Sequence, residues 1–180
     1  EVQKDNVLDV SKITYSGIKF LDVENDLVLK AYNMLNQDFS LTPVNIHLHK
    51  NIPFGSGLGG GSSNASFMII LLNKLFNLKL TQIDLLKYAK LLGSDCPFFI
   101  YNTPSYVSGL GEKIQPVKFD LSNFYIVVIK SHTSCSTREI FSYLKINKNP
   151  QSLPFCNDNL KLDRLKYTND LEDVSFSLYP

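Results

Sequence analysis

Apolar residues recur along this chain with two periods, and the switches between them lay out the elements. In 26-DLVLKAYNMLN-36, Leu27, Val28, Ala31, Met34 and Leu35 fall at helical spacing, with Asp26 or Asn25 placed to cap the start. In 44-VNIHLHK-50 the period drops to two. Val44, Ile46 and Leu48 alternate with Asn45, His47 and His49, which predicts a half-buried strand. The two histidines share its polar face, and with no third ligand type nearby an ordinary polar sheet face is expected. After a run of glycines, Ser62 or Ser63 stands where it can cap a helix reaching about Asn77. The body of that helix, 67-FMIILLNKLF-76, is apolar nearly all round, which predicts burial on most sides. A further helix is predicted over 82–92. Thr81 caps it, Asp84 completes a capping box in place of the usual Glu, and Gly93 ends it.

The second half of the chain is patterned less regularly. The stretch 95-DCPFFIY-101 reads as a turn entering a strand, and 105-SYVSG-109 and 112-EKIQPV-117 as two more. The strongest strand signal is 124-FYIVVIK-130, continuous and β-branched, as expected of a central strand. Residues 137–144 suit a short helix and 147–159 a loop, while the last twenty are weakly patterned. One or two strands fit within 1–20, and no internal repeat is visible. Strands and helices interleave without strict alternation, so the expected fold is a layered α/β or two-layer α+β domain.

Composition narrows the function classes. The 180 residues are 44% hydrophobic and 19% charged, enough to bury a core. A net charge of +1 with scattered Lys and Arg argues against a nucleic-acid partner held by a basic surface. No apolar run reaches the roughly 18 residues of a membrane span, so no membrane partner is expected. Cys96, Cys135 and Cys156 are widely spaced and match no metal-ligand spacing, which suits reduced thiols.

The sharpest feature is 50-KNIPFGSGLGGGSSNASF-67. Five of the nine glycines, Gly55, Gly57, Gly59, Gly60 and Gly61, lie within seven positions. They sit between a predicted strand and a predicted helix N-terminus, where unpaired amides and the positive end of the helix dipole attract an anion. Gly55, Gly57 and Gly60 fit G-x-G-x-x-G, but no strand ending in an acid follows about 20 residues on. Gly55, Gly60 and Ser62 outline a Walker loop, but Gly61 stands where its lysine is required. What remains is a phosphate cradle of backbone amides followed by a buried helix.

That loop, 52-IPFGSGLGGGSSNA-65, closely resembles the phosphate-binding motif of the GHMP kinases. Three later stretches extend the resemblance: 91-LLGSDCPFFI-100, 108-SGLGEKIQPV-117 with Leu110 where Arg is common, and 136-STREIF-141. Weaker likenesses are 24-ENDLVLKAY-32 and 168-TNDLE-172. Within the family the chain most resembles the branch that phosphorylates the 2-hydroxyl of a cytidine diphosphate-linked methylerythritol in non-mevalonate isoprenoid precursor synthesis. The resemblance implies ATP and magnesium as cofactors, and a nucleotide site formed by Pro53, Gly55, Gly57, Leu58, Gly59, Gly60, Gly61, Ser62 and Ser63, with Asn25 near the adenine. It implies Asp95 as the catalytic group, Phe141 as the ring that stacks on cytosine, and Ser62 as the nearest hydroxyl for magnesium. Taken alone, Asp95 in Gly-Ser-Asp is ordinary turn chemistry and Phe141 an ordinary core aromatic. Another GHMP kinase of the mevalonate or homoserine type, or a nucleotide-binding module without catalysis, stays open beside this reading.

The resemblance also implies a GHMP-kinase ATP-binding domain over 1–120, of mixed sheet and helices, and the start of a second α+β domain over 121–180. The family's Pro-Ala-Lys-x-Asn motif, whose Lys partners the catalytic Asp, is not found, nor is its last glycine-rich motif. The expectation is therefore the middle of a longer kinase, weakly active or inactive alone, working as monomer or homodimer in a bacterial cytosol or a plastid stroma.

Overall fold

The computed structural model describes residues 1–5, 10–18, 26–53, 56–118, 120, 122–129, 136–145 and 169–180. It divides into two compact units, Glu1–Pro116 and Val117–Pro180.

The first unit is built on β3 (Val44–Lys50), which lies between β1 (Val2–Lys4), antiparallel to it, and β2 (Lys12–Gly17), parallel to it. The pairing sets Ile13 opposite Ile46 and Tyr15 opposite Leu48, so the apolar alternation of both strands falls on one face. Helices α1 (Leu27–Phe39), α2 (Gly60–Phe76) and α3 (Gln82–Leu92) supply the rest of the core. Val28, Ala31 and Leu35 from α1 meet Val44 and Ile46 from β3 and Ala65, Met68, Ile69 and Leu72 from α2, all buried. Burying each large side chain here contributes about 1.5–3 kcal/mol. A short helix α4 (Cys96–Tyr101) and a hairpin of β4 (Ser105–Ser108) and β5 (Lys113–Pro116) complete the unit.

Caps follow the sequence closely where a side chain makes them. Asp26 caps α1 by accepting from the Val28 amide at 2.7 Å. Thr81 and Asp84 form the expected capping box on α3, and the Gly93 amide closes its end on Ala89. Three expectations give way. Helix α2 starts at Gly60 and is capped by Gly59 in a left-handed conformation, not by Ser62 or Ser63. It is also open on one side, with Phe67 and Leu71 exposed, because α1, α3, α4 and the sheet cover only part of its apolar girth. The 95–101 stretch forms α4 and not a strand. Pro97 in its first turn suits a helix start, and its buried side chain ties the helix down.

In the second unit α5 (Thr137–Tyr143) occupies the expected helix, and α6 (Asp170–Leu178) forms where the pattern was weak, capped by Asn169. The stretch 124–129 is not a strand. Among the described residues no neighbour pairs with it, and a strand without a ladder is not held. The 147–159 loop, Cys135 and Cys156 lie outside the described residues.

Candidate functional site

The glycine segment leaves β3 and enters α2 through residues whose backbone a side chain would disturb. Gly59 has φ +66°, and a Cβ there would meet the Phe99 ring at 2.9 Å. Only glycine suits both demands. Because Gly59 is the cap, no side chain satisfies the first amides of α2, and its first turn carries no acid. The Ser63 amide already bonds the Gly59 carbonyl at 2.9 Å. The preceding amides have no intrahelical acceptor, so an uncapped, positively polarised helix end is left at the loop.

Two clefts open beside it. The first, of about 200 Å³, brings together Pro53, Gly57, Gly59, Gly60, Gly61 and Ser62 with Leu27, Ser56 and Lys50. The second, of about 280 Å³, sets Gly57, Leu58 and Gly59 against Ser94, Asp95, Phe98, Phe99 and Val107. Gly57 and Gly59 wall both, so Asp95 and the anion-seeking amides lie on adjoining spaces. Ser63 lines neither. Asn25 and Gly55 lie outside the described residues.

Asp95 sits at the N-cap position of α4, yet its side chain makes no cap hydrogen bond. Its carboxylate is exposed at the rim of the cleft, and among the described residues no lysine or arginine pairs with it. The backbone around it is held from two sides. The hydroxyl of Ser66, fully buried in α2, lies 2.8 Å from the Cys96 carbonyl and 2.9 Å from the Ser62 carbonyl, which ties α2 to the start of α4. From the other side, the turn between β4 and β5 brings Gly111 against the Ser94 carbonyl, where an added Cβ would approach to 2.2 Å. Burial pushes the Cys96 thiol up, against the opposing hydrogen bonds of Ser62 and Ser66, so this cysteine is a neutral packing group.

Two site residues escaped the sequence reading. Ser66 looked like one more small residue in an apolar helix. Lys50 is the more telling miss. It continues the Val44–Ile46–Leu48 face of β3, is only 6% exposed, and lines the cleft of the glycine loop. A lysine on the buried face of a strand was the available signal. Phe141, on α5 in the second unit, is exposed. A larger cavity of about 520 Å³ lies between α5 and α6, but its lining includes none of the sequence-predicted residues and no glycine loop.

Residues 26–103, from the cap of α1 through α4, match the family model for the GHMP kinases N terminal domain. Over that stretch the chain is similar to the GHMP kinases. The relatives it resembles include a 4-diphosphocytidyl-2-C-methyl-D-erythritol kinase of Azobacteroides pseudotrichonymphae, 41% identical over 94% of this chain and 65% of that protein. One of the same name from Bacteroides fragilis is 46% identical over 77% of this chain and 49% of that protein. The chain thus spans between about half and two thirds of these relatives. A crystal structure of 4-(cytidine 5'-diphospho)-2C-methyl-D-erythritol kinase superposes with a TM-score of 0.71 at 25% identity, covering all of this chain and 64% of that one. The mixed α+β fold of this chain is thereby similar to that of a solved kinase.

Proposed function

We propose that this chain is part of an ATP-dependent kinase that phosphorylates the 2-hydroxyl of 4-diphosphocytidyl-2-C-methyl-D-erythritol. The observation that supports this most is the uncapped, acid-free N-terminus of α2 at the glycine loop, sharing cleft walls with a carboxylate that caps nothing. Phosphoryl transfer asks mainly for positioning and charge neutralisation, and these two elements supply both.

In this reading the amides of Gly60, Gly61 and Ser62 hold the ATP phosphates, and the buried Lys50 brings positive charge to the same cleft. Asp95 accepts a hydrogen bond from the acceptor hydroxyl, orienting it and taking its proton as the hydroxyl oxygen bonds the γ-phosphorus and the bond from that phosphorus to the bridging oxygen breaks, releasing ADP. Phe98 and Phe99 wall that space and limit water beside the reacting oxygen. Among the described residues no cluster of acids, histidines or cysteines could hold magnesium, and Ser62 would be the residue to offer it a hydroxyl. When bound, the ion neutralises charge on the phosphates. Phe141 is proposed to stack on the cytosine. The likeness to kinases of that name supports this substrate over others of the family.

The test is transfer of labelled γ-phosphate to the cytidylyl alcohol, run beside the 41%-identical relative as positive control. In the whole kinase of which this chain is proposed to be part, Asp95→Asn is expected to cut turnover by about 10²–10⁴-fold while ATP still binds. Undiminished turnover in that variant would remove Asp95 from the mechanism. Transfer to mevalonate or homoserine and not to the cytidylyl alcohol would replace the substrate.

A further inference from the structure

The outer face of the three-stranded sheet, opposite the core and away from the glycine loop's clefts, carries a connected row of polar side chains. Thr14 and Ser16 stand on β2, and their register partners His47 and His49 on β3. Thr14 Oγ1 lies 3.3 Å from the Ile46 carbonyl and 2.9 Å from His47 Nδ1. Ser16 Oγ lies 2.9 Å from His47 Nε2 and 2.8 Å from His49 Nδ1.

With both imidazoles neutral, one set of proton directions satisfies all four contacts. A carbonyl only accepts, so Thr14 donates to Ile46 and must accept from His47 Nδ1–H. His47 Nε2 therefore holds a lone pair, and Ser16 donates to it. With its one proton spent, Ser16 accepts from His49 Nδ1–H. Two imidazole nitrogens from neighbouring positions of one strand thus converge on a single oxygen, with the nearer ring already oriented by Thr14. That is the arrangement found around bound metals, where the ring nitrogen not bound to metal donates to a partner that sets tautomer and orientation.

We propose that His47 and His49 form a binding site for a divalent transition metal of the Ni²⁺, Cu²⁺ or Zn²⁺ class. The ion takes the place of the Ser16 hydroxyl at the point of convergence and is bound by His47 Nε2 and His49 Nδ1. His49 moves its proton to Nε2, which faces no partner in the row. Ser16 turns aside or remains as a weak oxygen ligand, and water fills the other positions. Metal–imidazole bonds of about 2.0–2.1 Å place two ligand nitrogens roughly 3 Å apart, within side-chain rotation of two nitrogens that share one hydrogen-bond partner. Among the described residues no third His, Cys, Asp or Glu joins them, so the site is open and exchangeable. Imidazole pairs favour these ions over magnesium, so the site is chemically separate from any ion on ATP.

The experiment is a calorimetric Ni²⁺ titration of the full 180-residue chain in a non-chelating buffer, with the imidazole NMR signals followed in parallel. One equivalent is expected to bind, broadening the His47 and His49 resonances. His132→Ala should bind as the wild type does, and His47→Ala combined with His49→Ala should bind none. Thr14→Val, which keeps both ligands but frees the His47 ring, should weaken binding about tenfold. All these described side chains are at the surface, and unchanged circular dichroism would show that the variants fold. Equal binding in the double variant, or no uptake by the wild type at millimolar Ni²⁺, would overturn the proposal, whatever the outcome of the kinase assay.

Discussion

Lys50 shows how one residue can answer a question that a motif leaves open. The loop has Gly61 where a Walker loop has its lysine, yet a phosphate cradle still gains from a nearby cation. β3 delivers one from behind, because its core-facing alternation ends on Lys50 and carries that side chain into the lining of the loop's cleft. If Lys50 supplies charge to bound phosphate, Lys50→Met should weaken ATP binding by roughly tenfold or more, the scale of a hydrogen bond to a charged group. The matching length keeps the buried stem packed, and circular dichroism of the variant should show the same fold. Titrating ATP into both proteins decides it, and equal affinities would assign Lys50 to the fold alone. Tyr15, in contrast, is polar but structural. Burial, then the nearby Asp26 charge and the hydrogen bond to it, pushes its phenol well above the ordinary range, so it stays protonated as a donor to the α1 cap.

Elements were legible where a local side-chain hydrogen bond marks their start, as at α1 and α3, and not at α2, which Gly59 caps in place of Ser62 or Ser63. The Thr81–Asp84 box could be named from spacing because both hydrogen bonds are local, and the structure makes both. Its consequence is a pH dependence with a definite sign. The Thr81 hydroxyl, then its amide, then Lys87 hold the Asp84 carboxyl below its usual value. A depressed carboxyl adds stability above the ordinary carboxylate range and loses it as pH falls through the depressed value. Asp84→Ala should therefore lower the melting temperature at neutral pH, with the difference closing in acid. A gap constant down to strongly acidic pH would mean that the carboxylate charge plays no part. What spacing could not show is contact between elements. Asp95 was expected on a turn leading into a strand, but Pro97 and the buried Cys96 start a helix behind it and leave it at the N-cap position, with the flanking backbone held by Ser66 from α2 and by Gly111 from the hairpin. Those partners lie 30 residues before and 17 after Cys96 and Ser94, beyond any local pattern. Gly111 also needs its left-handed φ of +101°, so Gly111→Ala must push the Ser94 carbonyl and with it Asp95. If Asp95 acts as proposed, an ångström-scale misplacement there should lower kcat of the whole kinase by about a hundredfold with the KM for ATP little changed, since α2 and its amides are untouched. A rise in that KM without loss of kcat would break the link between the hairpin and Asp95.

At the scale of the whole molecule, apolar residues are divided unequally between the two units. The buried core that joins β3 to the helices lies within the first, and every member of it precedes Pro116. The second unit contains the strongest strand pattern of the chain, yet that stretch has no ladder among the described residues. Tyr125 and Ile129 are more than 90% exposed, and Phe124, Ile126, Val127 and Val128 more than half. Periodicity reported β-propensity faithfully, but propensity does not supply a neighbour, and unpaired backbone with apolar side chains on both sides invites strands from other molecules. This chain should therefore associate with itself as concentration rises, driven by 124–129 and not by the surface of the first unit. Val127→Lys places a charge in the middle of that stretch, where pairing would have to desolvate it. Sedimentation velocity across a concentration series should show association in the wild type and its loss in the variant. The main thermal transition should stay where it was, because the first unit keeps its core. Association that persists in Val127→Lys and vanishes when the exposed Phe67 and Leu71 of α2 are made polar would place the adhesive surface on the helix instead.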